Sequence, residues 1–463
     1  MGVYISAAHK SSGKTTVTLG LCAAYAARGL KVSPFKKGPD YIDPMWLTKA
    51  ATTPCYNLDF YTMARDEITS LYRQKSHFSD LTIVEGNKGL YDGLSIDGSD
   101  SNGAMVKLLD LPVLLVINCN GITRGVAPLL LGYQAFDPEI KIAGVILNQT
   151  GGSRHESKLQ QVVEEYTDIT ILGSIGRVPE MEIVERHLGL LPSNEADQAQ
   201  HKIEEIKKVV ENNINLDQLL EISKIEKRVE LEKIETIDSI HNLRDIPKTA
   251  TPNLKSKIRV GIAKDEAFGF YYESDLDEFR SAGVELVPFS PIHDSKLPAV
   301  DALFIGGGFP ETQSSALEQN SKMRAEIYAA IESGMPVYAE CGGLMYLSRQ
   351  IEWNGKVHKM VGTIAGDCKM HKRPQGRGYV KFIHNQKTTP AHEFHYSSLD
   401  NLADDVEFTY RIKRGFGVDG KRDGIVYKNL LASYIHQRNS RDNSWVKQFI
   451  DKITKVLTEK EKI

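Results

Sequence analysis

GVYISAAHKSSGKTTVTLGL, residues 2–21, decides the reading of the first half of the chain. It joins an apolar run at 3–7 to a helix-patterned stretch at 15–28 through AHKSSGKT at 8–15. That segment approximates the phosphate-binding loop GxxxxGK[ST], with Ala8 at the first glycine position. Such a loop holds phosphate oxygens with successive backbone N–H groups at a helix N-terminus. Ser12, Gly13 and Lys14 would form the cradle, with Lys14 reaching the β- and γ-phosphates. Thr15 would ligate Mg²⁺, and Thr16 adds a hydroxyl near the α-phosphate. A nucleotide's phosphates with Mg²⁺ are what this pattern implies.

Outward from the loop, apolar runs at 81–85, 113–118, 142–147 and 169–175 alternate with helix-like stretches such as 126–135. Strands alternating with helices predict an α/β fold, a parallel sheet covered on both faces. Glu85 ends the run LTIVE, and a carboxylate at that end of a parallel strand points into the ligand crevice as a second Mg²⁺ ligand. Asp92 follows in NKGLYDG. The loop PFKKGPDYIDP at 34–44, placed after a strand at 31–34, gathers Lys36, Lys37, Asp40 and Asp43 beside Gly38, Pro39 and Pro44. Its carboxylates, Asp43 included, suit a metal, and a lysine such as Lys36 suits charge on a transferring phosphoryl group. Asn148 closes IAGVILN, either to read an adenine edge or as a strand-end cap.

The chain has 463 residues, which suggests two large domains. Its formal net charge is −3, from 57 basic and 60 acidic side chains, so a general basic face for nucleic acid is not expected. No apolar run is long enough to span a membrane, and the first residues lack the pattern of a signal peptide. Five widely spaced cysteines without a CxxC fit a reducing, cytoplasmic setting. Residues 1–193 read as the nucleotide domain and 194–257 as a charged helical segment and solvated linker. Residues 258–463 read as a second α/β domain.

In that second domain, strands are expected at 259–263, 302–306 and 336–340, helices at 274–282 and 323–333, and antiparallel strands within 360–426. MPVYAECGGLMYL at 335–347 runs a strand into Cys341, two glycines and a helix start. This is a nucleophile elbow, in which the helix N-terminus is expected to favour the thiolate. His436, at the end of LLASYIH, is the best general base, with His392 and His395 as competitors. In FIGGGFPE at 304–311, Gly307 and Gly308 can bring N–H groups to an oxyanion, together with Gly342 after the cysteine.

Together SSGKTTVTLGL, PFKKGPDYIDP, CYNLD, EGNKGLYDG, GVILN, RHLGL, GGGFPE, YAECGGLMYL, HEFHYS and ASYIH resemble the cobyrinic acid a,c-diamide synthase family over most of the chain. The resemblance implies a dethiobiotin-synthetase-like P-loop domain followed by a class I glutamine amidotransferase-like domain. It implies glutamine hydrolysis through a thioester on Cys341 with His436 as base. Ammonia would then displace phosphate from a carboxylate activated by MgATP, which makes the nucleotide cofactor ATP. The family's acceptors are macrocyclic tetrapyrroles, amidated on the a and c acetates. Lys14, Thr15, Glu85 and Asp92 match positions tied to nucleotide, metal or acid activation. Asp40, Tyr41 and Ile42 match the substrate loop.

The chain departs from the family's usual pattern at Lys37, Asn87 and Lys88, and also at His9, Lys10 and Ala391. Added cations near the acceptor suit a substrate rich in carboxylates, such as cobyrinic acid, sirohydrochlorin or sirohaem. Sirohaem amide synthases and nickel-sirohydrochlorin a,c-diamide synthase are the alternative members. Arg438 stands where many triad-type amidotransferases carry an acid, so a Cys–His dyad is expected. A homodimer follows from fold analogy alone. A plain P-loop ATPase would leave the Cys341 elbow unexplained, and a tetrapyrrole-binding module without activity would leave both sets of reactive residues unexplained.

Overall fold

The computed structural model describes residues 1–183, 185–186, 189–194, 199–224 and 257–460. The chain divides into two compact units, Met1–Leu231 and Glu232–Ile463.

In the first unit, β1 (Gly2–Ala7), α1 (Lys14–Ala27), β2 (Val32–Lys37), α2 (Ile42–Ala51), β3 (Tyr56–Leu58), α3 (Arg65–Ser76) and β4 (Leu81–Glu85) are followed by α4 (Asn102–Leu109) and β5 (Val113–Asn118). Then come α5 (Val126–Phe136), β6 (Ile142–Thr150), α6 (Ser153–Tyr166), β7 (Ile171–Gly176), α7 (Ala199–Asn213) and α8 (Leu216–Ser223). The seven strands pair in the order β3-β2-β4-β1-β5-β6-β7, all parallel. β1 and β4 are buried along their whole length, as strands covered on both faces must be. The order reverses at β1, and in such sheets ligands bind outside the carboxyl ends of the strands at the switch point.

Two departures from the sequence expectations matter. β2 runs on through Lys37, because Lys36 pairs with Glu85 of β4 and with Asn57 of β3. Lys36 and Lys37 thus belong to a strand, not to a loop, and their side chains go to opposite faces. The charged segment after residue 194 holds helices where they were expected, but those helices are not wholly solvated. Ile203, Ile206, Val210, Leu216 and Leu219 on α7 and α8 are buried, and α7 packs on α1 where Gly20 leaves room for Val210. The expected linker at 236–257 lies, up to residue 256, outside the described residues.

The second unit is built on a nine-stranded sheet. Its order is Glu285–Phe289, Arg259–Ala263, Ala302–Ile305, Val337–Glu340, Leu430–Ser433, Arg422–Tyr427, Glu407–Arg414, Gly376–His384 and Lys387–His395. The first five strands are parallel and the remainder antiparallel, as the alternation within 360–426 suggested. Helices Glu273–Ser281 and Trp445–Lys460 supply Leu276, Phe279, Trp445 and Phe449 to an apolar layer with Val260, Phe304 and Tyr338. A second core, with Met323, Ile327, Leu344 and Tyr346, forms around Leu303 and Ala339.

Gly20→Leu should drive a side chain into Val210, since a Cβ at position 20 would already lie 2.4 Å from Val210 Cγ2. We expect a loss of about 1–3 kcal/mol in urea unfolding, the usual cost of overpacking a filled contact. An unchanged midpoint would mean that α7 does not stabilise the first unit.

Candidate active sites

The phosphate loop leaves β1 and enters α1 through Gly13, whose φ of 83° suits glycine. A Cβ there would meet Asn148 Nδ2 at 2.2 Å. Asn148 donates that amide to the Ser12 carbonyl at 2.9 Å, so it is joined to the loop. The Ser12 hydroxyl donates to the His9 carbonyl, and the Thr16 hydroxyl to that of Gly13.

Beyond the loop, the strand register does the positioning. It sets Lys36 on β2 opposite Glu85 on β4. Lys36 Nζ donates to Glu85 Oε1 at 2.6 Å and to Asp43, with Asp40 Oδ2 at 3.9 Å. Burial opposes the Lys36 charge, but Asp43, Glu85 and Asp40 hold its pKa well above the ordinary lysine value. Burial pushes Glu85 up, Lys36 pulls it down, and Asp43 raises it. Thr15 Oγ1 donates to Glu85 Oε1 at 2.7 Å and to Asp43 Oδ2 at 3.2 Å. Asp43 comes from the first turn of α2, where the Asp40 carboxylate accepts the N–H groups of Ile42 and Asp43. Glu85 is fully buried, and its Oε2 has no hydrogen-bond donor among the described residues. Thr15, Asp43 and Glu85 thus bring hard oxygen donors together, a set that fits Mg²⁺ with water and phosphate completing its shell.

Lys37, on the opposite face, approaches Asn87 Oδ1 at 3.4 Å and lies 5.9 Å from the Phe60 ring centre. Burial lowers its pKa to about 8. Tyr41 and Ile42 are buried at the start of α2, whereas Lys88 is exposed with a φ of 44°. Asp92 accepts from the Gly89 N–H at 3.0 Å, in a loop whose Leu90 N–H bonds the Ala7 carbonyl beside the phosphate loop.

Sequence reasoning missed two side chains that hold these loops. Asn102 donates to the carbonyls of Asn87 and Gly89 and accepts from Tyr4 Oη. Asn57 donates to those of Gly38 and Asp40. The Asn57 signal lay within CYNLD, but Asn102 carries no motif.

In the second unit, Cys341 ends the strand Val337–Glu340 with φ 48° and ψ −101°, a conformation disfavoured for a residue with a Cβ. Strain of this kind marks the expected elbow. A Cβ at Gly343 would lie 2.1 Å from the Ile305 carbonyl oxygen, and one at Gly342 would lie 3.0 Å from Gly308 N. The two glycines thus let the helix Gly342–Leu347 descend onto Ala302–Ile305 and the Gly307–Gly308 segment. Against expectation, the Cys341 thiol is pushed up, not down. Burial is the main cause, Glu311 adds to it, and the Gly342 N–H offsets only part. A neutral thiol needs a base.

His436 follows the neighbouring strand Leu430–Ser433, whose Ser433 carbonyl accepts the Cys341 N–H at 2.7 Å. A Cβ at Gly307 would touch His436 Cε1 at 2.6 Å, so Gly307, Gly308, Gly342, Cys341 and His436 share one site. The competing histidines have other surroundings. The His392 ring stacks behind His436 at 4.9 Å and meets Tyr272 Oη at 3.1 Å through Nδ1, and burial lowers its pKa well below the usual histidine value. His395 stacks on Tyr434 at 3.9 Å and faces the Ser397 carbonyl. Arg438 is buried, with its guanidinium 4.9 Å from the Tyr272 ring centre.

A P-loop sheet in one unit and a cysteine elbow in the other define a two-domain, nucleotide-binding glutamine amidotransferase. The CobQ/CobB/MinD/ParA nucleotide binding domain matches residues 5–191, and the CobB/CobQ-like glutamine amidotransferase domain matches 259–444. A cobyrinate a,c-diamide synthase of Magnetococcus marinus is 44% identical, with 94% of this chain and 93% of the relative covered. Those of Methanosarcina barkeri (38% identical; 94% and 92% covered) and Archaeoglobus fulgidus (37%; 98% and 97%) are also similar. The chain belongs to the cobyrinate a,c-diamide synthase family, and it is an enzyme of the amide-forming ligase class. No helix among the described residues is long and apolar enough to cross a membrane.

Lys14 provides a test of the nucleotide site. Burial is the main cause of its pKa falling to about 8, with Glu85 opposing. A polyphosphate placed on Lys14 raises that pKa, so nucleotide binding near pH 8 should take up protons, and little or none at pH 6. Calorimetry in buffers of different ionisation heat reads this directly, and equal uptake at both values would exclude Lys14 as the source.

Proposed function

We propose that the enzyme uses ATP and glutamine to amidate the a and c acetate side chains of a cobyrinate-type tetrapyrrole. What carries this reading is the pairing of the Lys36–Asp43–Glu85–Thr15 cluster with the Cys341–His436 elbow in a chain whose relatives are named cobyrinate a,c-diamide synthases.

In this reading the phosphate loop and Lys14 bind the ATP phosphates, with Asn148 holding the loop in shape. Thr15, Asp43 and Glu85 hold Mg²⁺, which when bound neutralises phosphate charge. Lys36, held by Asp43 and Glu85, is placed to meet charge that develops on the transferring phosphoryl group. An acceptor carboxylate attacks the γ-phosphorus, forming an acyl phosphate and releasing ADP. Ammonia then displaces phosphate and leaves an amide. Asp92, in the loop beside the phosphate loop, takes the acid-activation role. Lys37, Asp40, Tyr41, Ile42, Asn87 and Lys88 surround the acceptor, and their cations face its carboxylates.

At the second site, His436 takes the Cys341 proton as sulfur attacks the glutamine amide carbon. The oxyanion is met by N–H groups of the Gly307–Gly308 and Gly342 segments. His436 passes the proton to the leaving ammonia, and water hydrolyses the thioester to glutamate.

Cys341→Ala should abolish amidation from glutamine while leaving amidation from free ammonia within about three-fold, because only the first needs the thioester. Loss of both in a folded variant would sink the two-site reading. Offering cobyrinic acid, nickel-sirohydrochlorin and sirohaem in parallel, with products read by mass, tests the acceptor. Preference for cobyrinic acid by kcat/KM is expected, and preference for sirohaem would reassign the substrate.

A further inference from the structure

We infer that Glu340, the residue immediately before the nucleophile, is the positioning carboxylate of His436 and completes a triad with Cys341. The inference rests on the reading of Cys341 and His436 as a glutamine-hydrolysing pair and adds a member that the sequence pattern did not offer. Arg438, two residues past His436, is directed to Tyr272 instead.

The geometry comes from two adjacent parallel strands. Glu340 lies opposite Ser433 in the register, and His436 follows three residues later. Glu340 is buried, and its two oxygens have different partners. Oε1 accepts the Tyr338 hydroxyl at 2.7 Å and the Gln437 N–H at 2.9 Å. Oε2 faces His436 Nδ1 at 3.4 Å. Gln437 is itself tied by its side-chain amide to Tyr338 Oη at 2.9 Å, to Tyr410 Oη at 3.0 Å and to Asn443 at 3.1 Å. A carboxylate anchored through one oxygen leaves the other at a fixed place on the imidazole. Behind the ring, the His392 imidazole limits tilting.

The chemical consequence follows from the buried thiol. Cys341 starts neutral, so its proton must move to His436 Nε2 as the C–S bond forms. That requires Nε2 to be the unprotonated nitrogen and Nδ1 to carry the hydrogen. A carboxylate at Nδ1 selects this tautomer and stabilises the imidazolium that results, the part played by the acid in a Ser-His-Asp triad. Here the acid precedes the nucleophile by one residue.

The test is glutamine hydrolysis by the full-length enzyme. Glu340→Gln keeps the shape and an acceptor for Tyr338 and Gln437, but presents an N–H to Nδ1 and imposes the wrong tautomer. We expect kcat to fall by about 10²- to 10⁴-fold, the upper end being the loss when the acid of a Ser-His-Asp triad becomes an amide. KM for glutamine should stay within about three-fold, because the interaction is made in the transition state. Alkylation of Cys341 by a chloroketone analogue of glutamine should slow in parallel. Tyr338→Phe removes a bond to the other oxygen and should cost less than about ten-fold in kcat.

Equal losses in both variants, or a Glu340→Gln enzyme at the parent rate, would overturn the inference. Should Glu340→Gln not fold, Glu340→Asp withdraws the carboxylate by one methylene. A kcat at least ten-fold down with KM held is then expected, and an unaltered kcat overturns the inference. Glutamine hydrolysis that survives Cys341→Ala would instead sink the underlying reading of the site, whatever Glu340 does.

Discussion

A lysine withdrawn from water costs several kcal/mol unless carboxylates meet it at close range. Lys36 is met by Glu85 and Asp43, with Asp40 nearby, and much of the first unit's geometry is set by that requirement. It ties the carboxyl end of β2 to that of β4, brings the first turn of α2 over the strand ends, and leaves Thr15 within reach of the same oxygens. The cluster also keeps one carboxylate oxygen, Glu85 Oε2, without a hydrogen-bond donor among the described residues.

The second unit also buries carboxylates beside its site. One of its buried carboxylates, Glu340, accepts a hydroxyl and a backbone amide hydrogen and faces an imidazole nitrogen at 3.4 Å. In both units the candidate site residues sit at or just past the carboxyl ends of parallel strands. There side chains leave the sheet, and the chain turns through glycine or a strained residue. Gly13 and Cys341 are those turning points, one in the phosphate-loop motif and the other at the elbow. Neighbouring strands add the remaining groups because parallel pairing brings their ends together: Glu85 beside Lys36, and His436 beyond Ser433, the partner of Glu340.

Much of this was legible in advance. The P-loop, the elbow and the alternation of strands and helices are local patterns, set by backbone requirements within a few residues. What misled was equally local. KK before GPD looked like a loop because lysines rarely lie on buried strands, and for Lys36 the carboxylates of Glu85 and Asp43 make that placement tolerable. The charged stretch after residue 194 looked solvated because Glu and Lys recur throughout it, yet Ile203, Ile206 and Val210 fall on one face of α7, which packs on α1. A helix N-terminus beside Cys341 suggested a lowered thiol pKa, but the depth of burial, invisible in sequence, decides the opposite.

The sequence by itself determined which residue types could do chemistry and which turns would present them, because glycine spacing and strand-to-helix punctuation act over short range. It also carried the family, through motifs spread along most of the chain. Tertiary structure alone decided the partners: Lys36 with Glu85 across a strand pair, Asn148 with the phosphate loop, Asn102 with the loop at 86–89, and Glu340 with His436. Register and burial set those meetings, and both arise from contacts between residues tens to more than a hundred positions apart.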